Sequence, residues 1–509
     1  MSETTNRIIK NTGFLYIKMG ITVFFSLYTT RLILNALGVI DFGVFGIVGG
    51  AIAMMGFLNS SLSNATQRFM SYYQGKNDVE SQKTIFNNSM LLHCIIAFIV
   101  VIILEIAAIP LFNGVLTIPS DRLYAAQSIY QFMIITTFFT ILAVPYDASV
   151  NAHENMFYYA VVGILEAVLK LVIALYVVYT SLDRLIIYGF LMSVLAVILL
   201  FIKYAYCRYN YRECQLELRR YCDFMVIKEQ ISYAGWNFLG TTGGLIGNNG
   251  GDIVMNHYFG PAINAAGNVG SQLRGQMMAF SNNMLKALNP VIIKKEGRGD
   301  RQSMLKFSMS GSKLSYMLFA VFALPFVVEA PYILKLWLVN VPGWTVCFSR
   351  FQMLTGLGEQ LTITLATSLA AIGKIKQYNI FSGLVHLLPL FLYCILFHFG
   401  ASPYWPYLIT FIDFVFVLGG YTIYLGQKEC GLNAMCFLGK LVIPAILYSA
   451  VAIGLGSFVA LVFPETIWRL LAVIVVTDVV FILLFYCFLM NQEERSVMRG
   501  VALKLTHRI

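Results

Sequence analysis

Gly75-Lys76-Asn77-Asp78-Val79-Glu80-Ser81 is answered 222 positions later by Gly297-Arg298-Gly299-Asp300-Arg301-Gln302-Ser303. The same offset, without a gap, pairs Gly13 with Gly235, Gly38 with Gly260 and Ala65 with Ala287. One such stretch is an ordinary polar turn. Two at a fixed offset, with matched glycines on either side, indicate a duplicated unit.

The composition says what kind of unit was duplicated. The chain is 58% apolar and 12% charged over 509 residues, about half the charged fraction of a soluble domain. Runs of roughly 20 apolar residues, the length that crosses a hydrocarbon core, recur throughout. Spans are expected at 13–35, 44–66, 86–109, 125–147, 157–179, 185–206, 231–256, 267–291, 308–331, 349–372, 379–399, 403–425, 437–460 and 466–490. Those around Gly240–Asp252 and Asn268–Asn289 are unusually polar. The expected fold class is therefore an all-α polytopic membrane protein of about 14 helices. Its plan is two parallel-related six-helix lobes and two C-terminal helices.

The basic residues orient this map. With the N-terminus cytoplasmic, the external loops hold only Arg122, Arg184 and Lys335, whereas most other Lys and Arg fall in cytoplasmic segments. This positive-inside asymmetry places both termini in the cytoplasm and accounts for the net charge of +10 without a nucleic-acid partner. Met1–Lys10 is short and polar, so the first span serves as its own insertion signal. Cys207, Cys214 and Cys222 share one loop but lack CxxC spacing, which favours neither a metal site nor a disulfide. The expected domains are 1–206, a cytoplasmic linker 207–230, 231–425, and 426–509 with two helices outside the repeat.

Polar side chains inside spans face a cavity or one another. Lys18, Thr22, Ser26 and Thr29 share a face of the first span, and Asn59, Ser60, Ser63 and Gln67 a face of the second. In the eighth, Asn268, Gln272, Gln276, Asn283 and Lys286 form a stripe. The first, second, seventh and eighth spans are repeat-related pairs, so a cavity between two lobes is expected; interhelical hydrogen bonding is the alternative. Lys18, Arg31, Arg68, Arg274 and Lys286 outnumber the acids there, and Lys and Arg favour an anionic ligand such as a diphosphate. Arg31 and Arg274 point away from the stripes beside them, and Arg31 can snorkel to the interface. Glu166 and Lys170 are spaced as an ion pair. Glu359, in a tenth span with Gln360, Thr364, Thr367 and Ser368, is open to binding a coupling cation or to joining helices. Asp252 is a candidate for H⁺ or Na⁺, Asp413 and Asp478 are isolated, and His386 reads as a satisfied core residue.

No GxxxxGK[ST] loop, GxSxG, HExxH or acidic metal cluster is present, and no loop is large enough for a catalytic domain, so neither enzymatic activity nor a cofactor is expected. The glycines of Gly240–Gly251 read as close packing or hinge bending.

Thr30-Arg31-Leu32-Ile33-Leu34-Asn35-Ala36-Leu37-Gly38, Asp41-Phe42-Gly43, Ser63-Asn64-Ala65-Thr66-Gln67-Arg68 and the repeated turn together resemble the polysaccharide flippase branch of the multidrug/oligosaccharidyl-lipid/polysaccharide exporter superfamily. The resemblance spans essentially the whole chain. It implies two lobes alternating around a central cavity and a polyprenyl-diphosphate-linked oligosaccharide moved to the external leaflet of a bacterial inner membrane. Polysaccharide polymerase and chain-length machinery would be partners. By span, Arg31, Arg68 and Arg274 occupy places comparable to the diphosphate-binding residues of relatives, and the last two helices would form a groove for the lipid tail. Relatives with a cation site use acids in the seventh and eleventh spans; here the eleventh has none. The alternatives are a cation-coupled multidrug antiporter of the same superfamily and a non-transporting assembly partner of glycan enzymes.

Overall fold

The computed structural model describes residues 3–53, 56–115, 118, 120–338, 341–492 and 494–496, and every element among them is helical. The long helices are α1 (Glu3–Ala53), α2 (Gly56–Gly75), α3 (Val79–Pro110), α4 (Leu123–Ala152), α5 (Met156–Tyr179) and α6 (Arg184–Asn210). A short α7 (Leu218–Tyr221) precedes α8 (Phe224–Phe259), α9 (Pro261–Gly297), α10 (Arg301–Leu338), α11 (Thr345–Ala371) and α12 (Ile375–His398). A π-helical stretch, Asp413–Leu418, joins α13 (Trp405–Ile412) to α14 (Gly419–Cys430). The chain closes with α15 (Ala434–Phe437), α16 (Ile443–Val462) and α17 (Ile467–Leu484). Each of the fourteen expected spans falls on helix. Among the described residues ten helical stretches are long and apolar enough to cross a membrane by composition alone. The second, seventh, eighth and tenth spans fall short because they carry the polar faces.

The duplication is visible in the backbone. In the first turn, the N–H groups of Lys76, Asn77 and Asp78 donate to the carbonyls of Tyr72, Gln74 and Tyr73; in the second, Arg298, Gly299 and Asp300 donate to Lys294, Glu296 and Lys295. The third residue of each turn has positive φ, Asn77 at 56° and Gly299 at 74°. Ser81 N–H then donates to Asp78 Oδ1 (3.0 Å) and Ser303 N–H to Asp300 Oδ1 (3.1 Å), so each aspartate caps the next helix. Gly38 (φ 76°, ψ 171°) and Gly260 (φ 79°, ψ 177°) break their helices in one conformation, accessible to glycine without strain. A third pair escapes the fixed offset. His153, Glu154 and Asn155 donate to Ser149, Asn151 and Val150, and Ile372, Gly373 and Lys374 repeat the pattern onto Ser368, Ala370 and Leu369, now 219 positions apart.

Two compact units result, one of Lys10–Phe238 and one of Leu239 onward together with the residues up to Ile9. In the first, α4 is central and packs on α2, α3 and α6; in the second, α11 packs on α9, α10 and α14. The division falls within α8. Residues 207–230 fold onto the first unit, gripped by two buried asparagines of α3. Asn87 donates to Gln215 O (2.9 Å) and accepts from Glu217 N–H (2.8 Å). Asn88 donates to Tyr221 O (2.9 Å) and accepts from Asp223 N–H (3.1 Å).

The second unit absorbs the C-terminal helices: Phe437, Leu441, Ala445, Phe481 and Phe485 share one core with Tyr316 and Phe319 of α10. Arg469 holds Glu329 (2.8 Å), and Lys313 holds Glu494 (3.1 Å) and Leu489 O (3.0 Å). The polar α8 is packed through its glycines. A methyl group on Gly243 would lie 2.7 Å from Gly383 Cα, and one on Gly247 2.6 Å from His386 O. Close packing of α8 on α12 is therefore what these glycines serve.

Hydrogen bonds from the Ser81 hydroxyl and N–H hold the Asp78 carboxyl below its usual range, and Ser303 acts on Asp300 in the same way. A depressed folded value means the caps contribute fully above the unfolded carboxylate range, near pH 4, and fade as pH falls through the folded value. Asp78→Ala and Asp300→Ala should each cost about 1 kcal/mol at pH 7. Thermal unfolding at pH 7 and at about pH 3 checks this, the difference from wild type shrinking in acid.

Candidate functional site

In the first unit, Lys18 of α1 reaches toward α5. Its Nζ lies 4.0 Å from the centre of the Tyr159 ring, and its methylenes occupy the space that a side chain at Gly163 would need. A cavity of about 90 Å³ opens here, lined among others by Lys18, Asp147, Tyr158, Glu166 and Lys203. Lys203 pairs with Asp147 (2.7 Å), and Lys170 with Glu166 (2.6 Å) at the i, i+4 spacing expected. Lys18 is the remaining charge, with no ion-pair partner among the described residues. Sequence reading missed the Asp147–Lys203 pair. Its signal was present: opposite charges in two apolar spans of one lobe seldom stand apart.

The other basic candidates separate. Arg31 is exposed. Arg68 is buried against three rings, 4.5 Å from Phe69, 5.2 Å from Tyr72 and 5.4 Å from Tyr233. The side chain of Asn59 lies outside the described residues. The external Arg122 and Arg184 do more than mark topology, because both hold the break at Gly38. Arg122 pairs with Asp41 and with Asp183 (2.7 Å), and Arg184 donates to Ala36 O (2.9 Å).

In the second unit, Asn268, Gln272 and Gln276 are exposed along one face of α9, while Asn283 and Lys286 are half-buried and engaged by other groups. Arg274 forms an ion pair with Glu359 of α11, so two residues read separately for anion binding and ion coupling meet and neutralise each other. The rest of the polar face of α11 joins helices. Gln360 accepts from Ser315, Thr364 donates to Ser308 O (2.7 Å), and Thr367 donates to Asn289 Oδ1 (3.2 Å). His386 donates from Nδ1 to Ser382 O (2.6 Å) and meets Phe414 edge-on at 4.7 Å; it is a packed core residue, within electrostatic reach of Glu359 and Arg274.

Among the described residues Asp252, Asp413 and Asp478 form no ion pair, and a buried Asp478 oxygen of α17 also lacks a hydrogen-bond partner. Asp252 is half-buried within electrostatic reach of Tyr407, and Asp413 within reach of Tyr393. The Tyr393 hydroxyl shares a hydrogen bond with the Thr410 hydroxyl (3.0 Å) and donates to Pro406 O (3.4 Å). Asp413 opens the π-helical stretch, a deviation that frequently marks functional positions.

This helical plan has solved counterparts. A MATE structure in the bent conformation superposes with a TM-score of 0.74 at 14% identity, covering 84% of this chain and 96% of that one. The chain has the fold of MATE transporters. The outward-facing conformation of a multidrug resistance MATE family transporter of the MOP superfamily gives 0.72 at 14% identity, over 85% and 97% of the two chains. A MOP superfamily transporter from Pyrococcus furiosus gives 0.71 at 13%, over 84% and 96%, and is described as having a binding pocket of reverse polarity that suggests a different function. No family model matches the sequence, and no curated protein matches it. The MATE fold is therefore common to these chains while pocket charge is not, and the charge of each unit has to be read from its own residues.

Arg274→Ala or Glu359→Ala alone should destabilise the protein, and the double substitution should cost less than the sum, with a coupling of about 1–3 kcal/mol. Unfolding of the four proteins in detergent measures that coupling. Additive losses would mean that the pair contributes nothing.

Proposed function

We propose that this chain is an alternating-access transporter that moves an anionic, polyprenyl-diphosphate-linked oligosaccharide from the cytoplasmic to the external leaflet. The observation that carries the reading is Lys18, an ammonium left without a counter-charge in a polar cavity of the first unit. An anionic head group would supply that charge, and a lysine acts on phosphate as a point charge. The same cavity disfavours a cation. Asn268, Gln272 and Gln276 would meet sugar hydroxyls. Carrying such a head through bare hydrocarbon is prohibitive, and a path opening to each side in turn removes that cost.

Asp252 and Asp413 support coupling to H⁺ or Na⁺, replacing Glu359, whose charge is taken by Arg274. The domain reading follows: two repeat-related lobes, with the last helices built into the second. Polymerase and chain-length partners and a bacterial inner-membrane location belong to the same proposal.

A second reading, a cation-coupled multidrug antiporter, is favoured by the neighbours, one of which is described as a multidrug resistance transporter. It would use Asp252 and Asp413 for a cation and leave Lys18 without a role.

Lipid extracts of cells depleted of the protein separate the two. The flippase reading expects one polyprenyl-diphosphate glycan to accumulate facing the cytoplasm, relieved by the wild type and at most weakly by Lys18→Ala. Unchanged lipids with new sensitivity to cationic compounds would establish the antiporter instead.

A further inference from the structure

A polar recess of the first unit lies away from Lys18, at the opposite end of α3 from the duplicated turn. It is a groove of about 500 Å³ between α3 and α4, within the size range of small-molecule sites. On α4, Tyr124, Gln127, Ser128 and Gln131 fall at i, i+3, i+4 and i+7 and share one face. Glu105 of α3 stands opposite and accepts a hydrogen bond from Gln131 Nε2 (3.2 Å). Asn113 closes the rim from the π-helical turn that follows α3.

Depth makes this arrangement unusual. Gln131 lies eight residues into α4, about 12 Å along its axis, and Glu105 about 7 Å before the end of α3. The neighbouring exposed positions of α3 are Ile99, Ile102 and Ile106, a lipid-facing surface. A carboxylate and two amides exposed at that depth are costly unless a hydrophilic occupant meets them.

The donor set selects the occupant. Among the described residues that line the groove none is Lys, Arg or His, so phosphate and carboxylate would meet the Glu105 charge unopposed. A cation would use Glu105 and the Tyr124 ring but would face the amide N–H groups. Hydroxyls use every group at once: they donate to Glu105 and to the amide oxygens, accept from the amide nitrogens, and offer a C–H face to the exposed Tyr124 ring.

We propose that this groove binds neutral saccharide hydroxyls at the membrane face that the charge asymmetry assigns to the outside. Free glycan and the head group of a glycolipid present the same chemistry. The site is separate from the Lys18 cavity and stands whether the cargo is a glycan or a drug.

The test uses the full chain in nanodiscs and saturation-transfer NMR with maltotriose and chitotriose, in discs with and without monogalactosyl diacylglycerol. Saturation should reach sugar ring protons, with binding weakened about tenfold by Glu105→Ala and measurably by Gln127→Ala, an exposed position where folding is not at risk. Lys18→Ala should leave it unchanged. A signal from free trisaccharide identifies soluble glycan as a ligand; one seen only on the glycolipid identifies the head group. No transfer in either disc, transfer indifferent to both groove substitutions, or Glu105-dependent binding of tetraethylammonium in place of sugar would overturn the proposal. Because Lys18→Ala reads the transport cavity and Gln127→Ala reads the groove, either assignment can fail alone.

Discussion

Inside a bilayer every backbone N–H and C=O has to find its partner within the protein, and that constraint decides where this chain is able to turn. A helix is self-sufficient until it ends. Each end then leaves orphan groups that a turn must satisfy. The repeated turns meet this demand with one solution: a positive-φ residue folds the last N–H groups back onto the helix, and an aspartate side chain accepts an N–H from the first turn of the next. At Gly38 the task is different, since helix follows helix across a single non-helical residue. There the neighbouring elements assist, Arg184 taking the Ala36 carbonyl and Arg122 the Asp41 carboxylate. The duplication survives at such positions because they tolerate few alternatives. Lipid-facing positions ask only for an apolar side chain and drift freely.

Charge inside the units obeys the same economy. Asp147–Lys203, Glu166–Lys170, Arg274–Glu359 and Glu329–Arg469 are each closed within one unit. A pair that closes inside a unit neutralises its own charges there, so neither partner is left for a ligand. Charges left without an ion pair among the described residues include Lys18 and the acids Glu105, Asp252, Asp413 and Asp478.

The sequence made the fold legible, because apolar length and a charge bias that alternates with each loop are one-dimensional signals. Helix count, the repeat and the polar character of α2, α8, α9 and α11 can all be read that way. The third repeated turn could not, since Glu154 and Gly373 share a backbone shape without sharing a side chain. The site was less legible. Periodicity places Lys18 on a polar face but does not say that the face meets Tyr159 and Gly163 across a helix interface. Arg274 and Glu359, 85 residues apart, looked like two functions until the packing of α9 on α11 made them one pair. The segment 207–230 reads as a linker because it falls where the two halves of the repeat meet; Asn87 and Asn88, buried in α3 and each gripping it by donor and acceptor, are what fix it in place.

Reading the leftover charges by unit also explains why a resemblance at this distance settles the architecture before the cargo. A fold of packed helices needs glycine contacts, capped turns and neutralised pairs, and these recur wherever the fold does. Cargo and coupling depend on one or two charges that the packing does not require. Replacing Lys18 by a neutral residue, or adding one acid beside it, would leave every turn and internal pair described above untouched while cancelling the excess charge of the cavity. Such a change is cheap for the fold and decisive for a ligand, so a shared helical frame leaves the charge of a cavity to be read from the residues that line it.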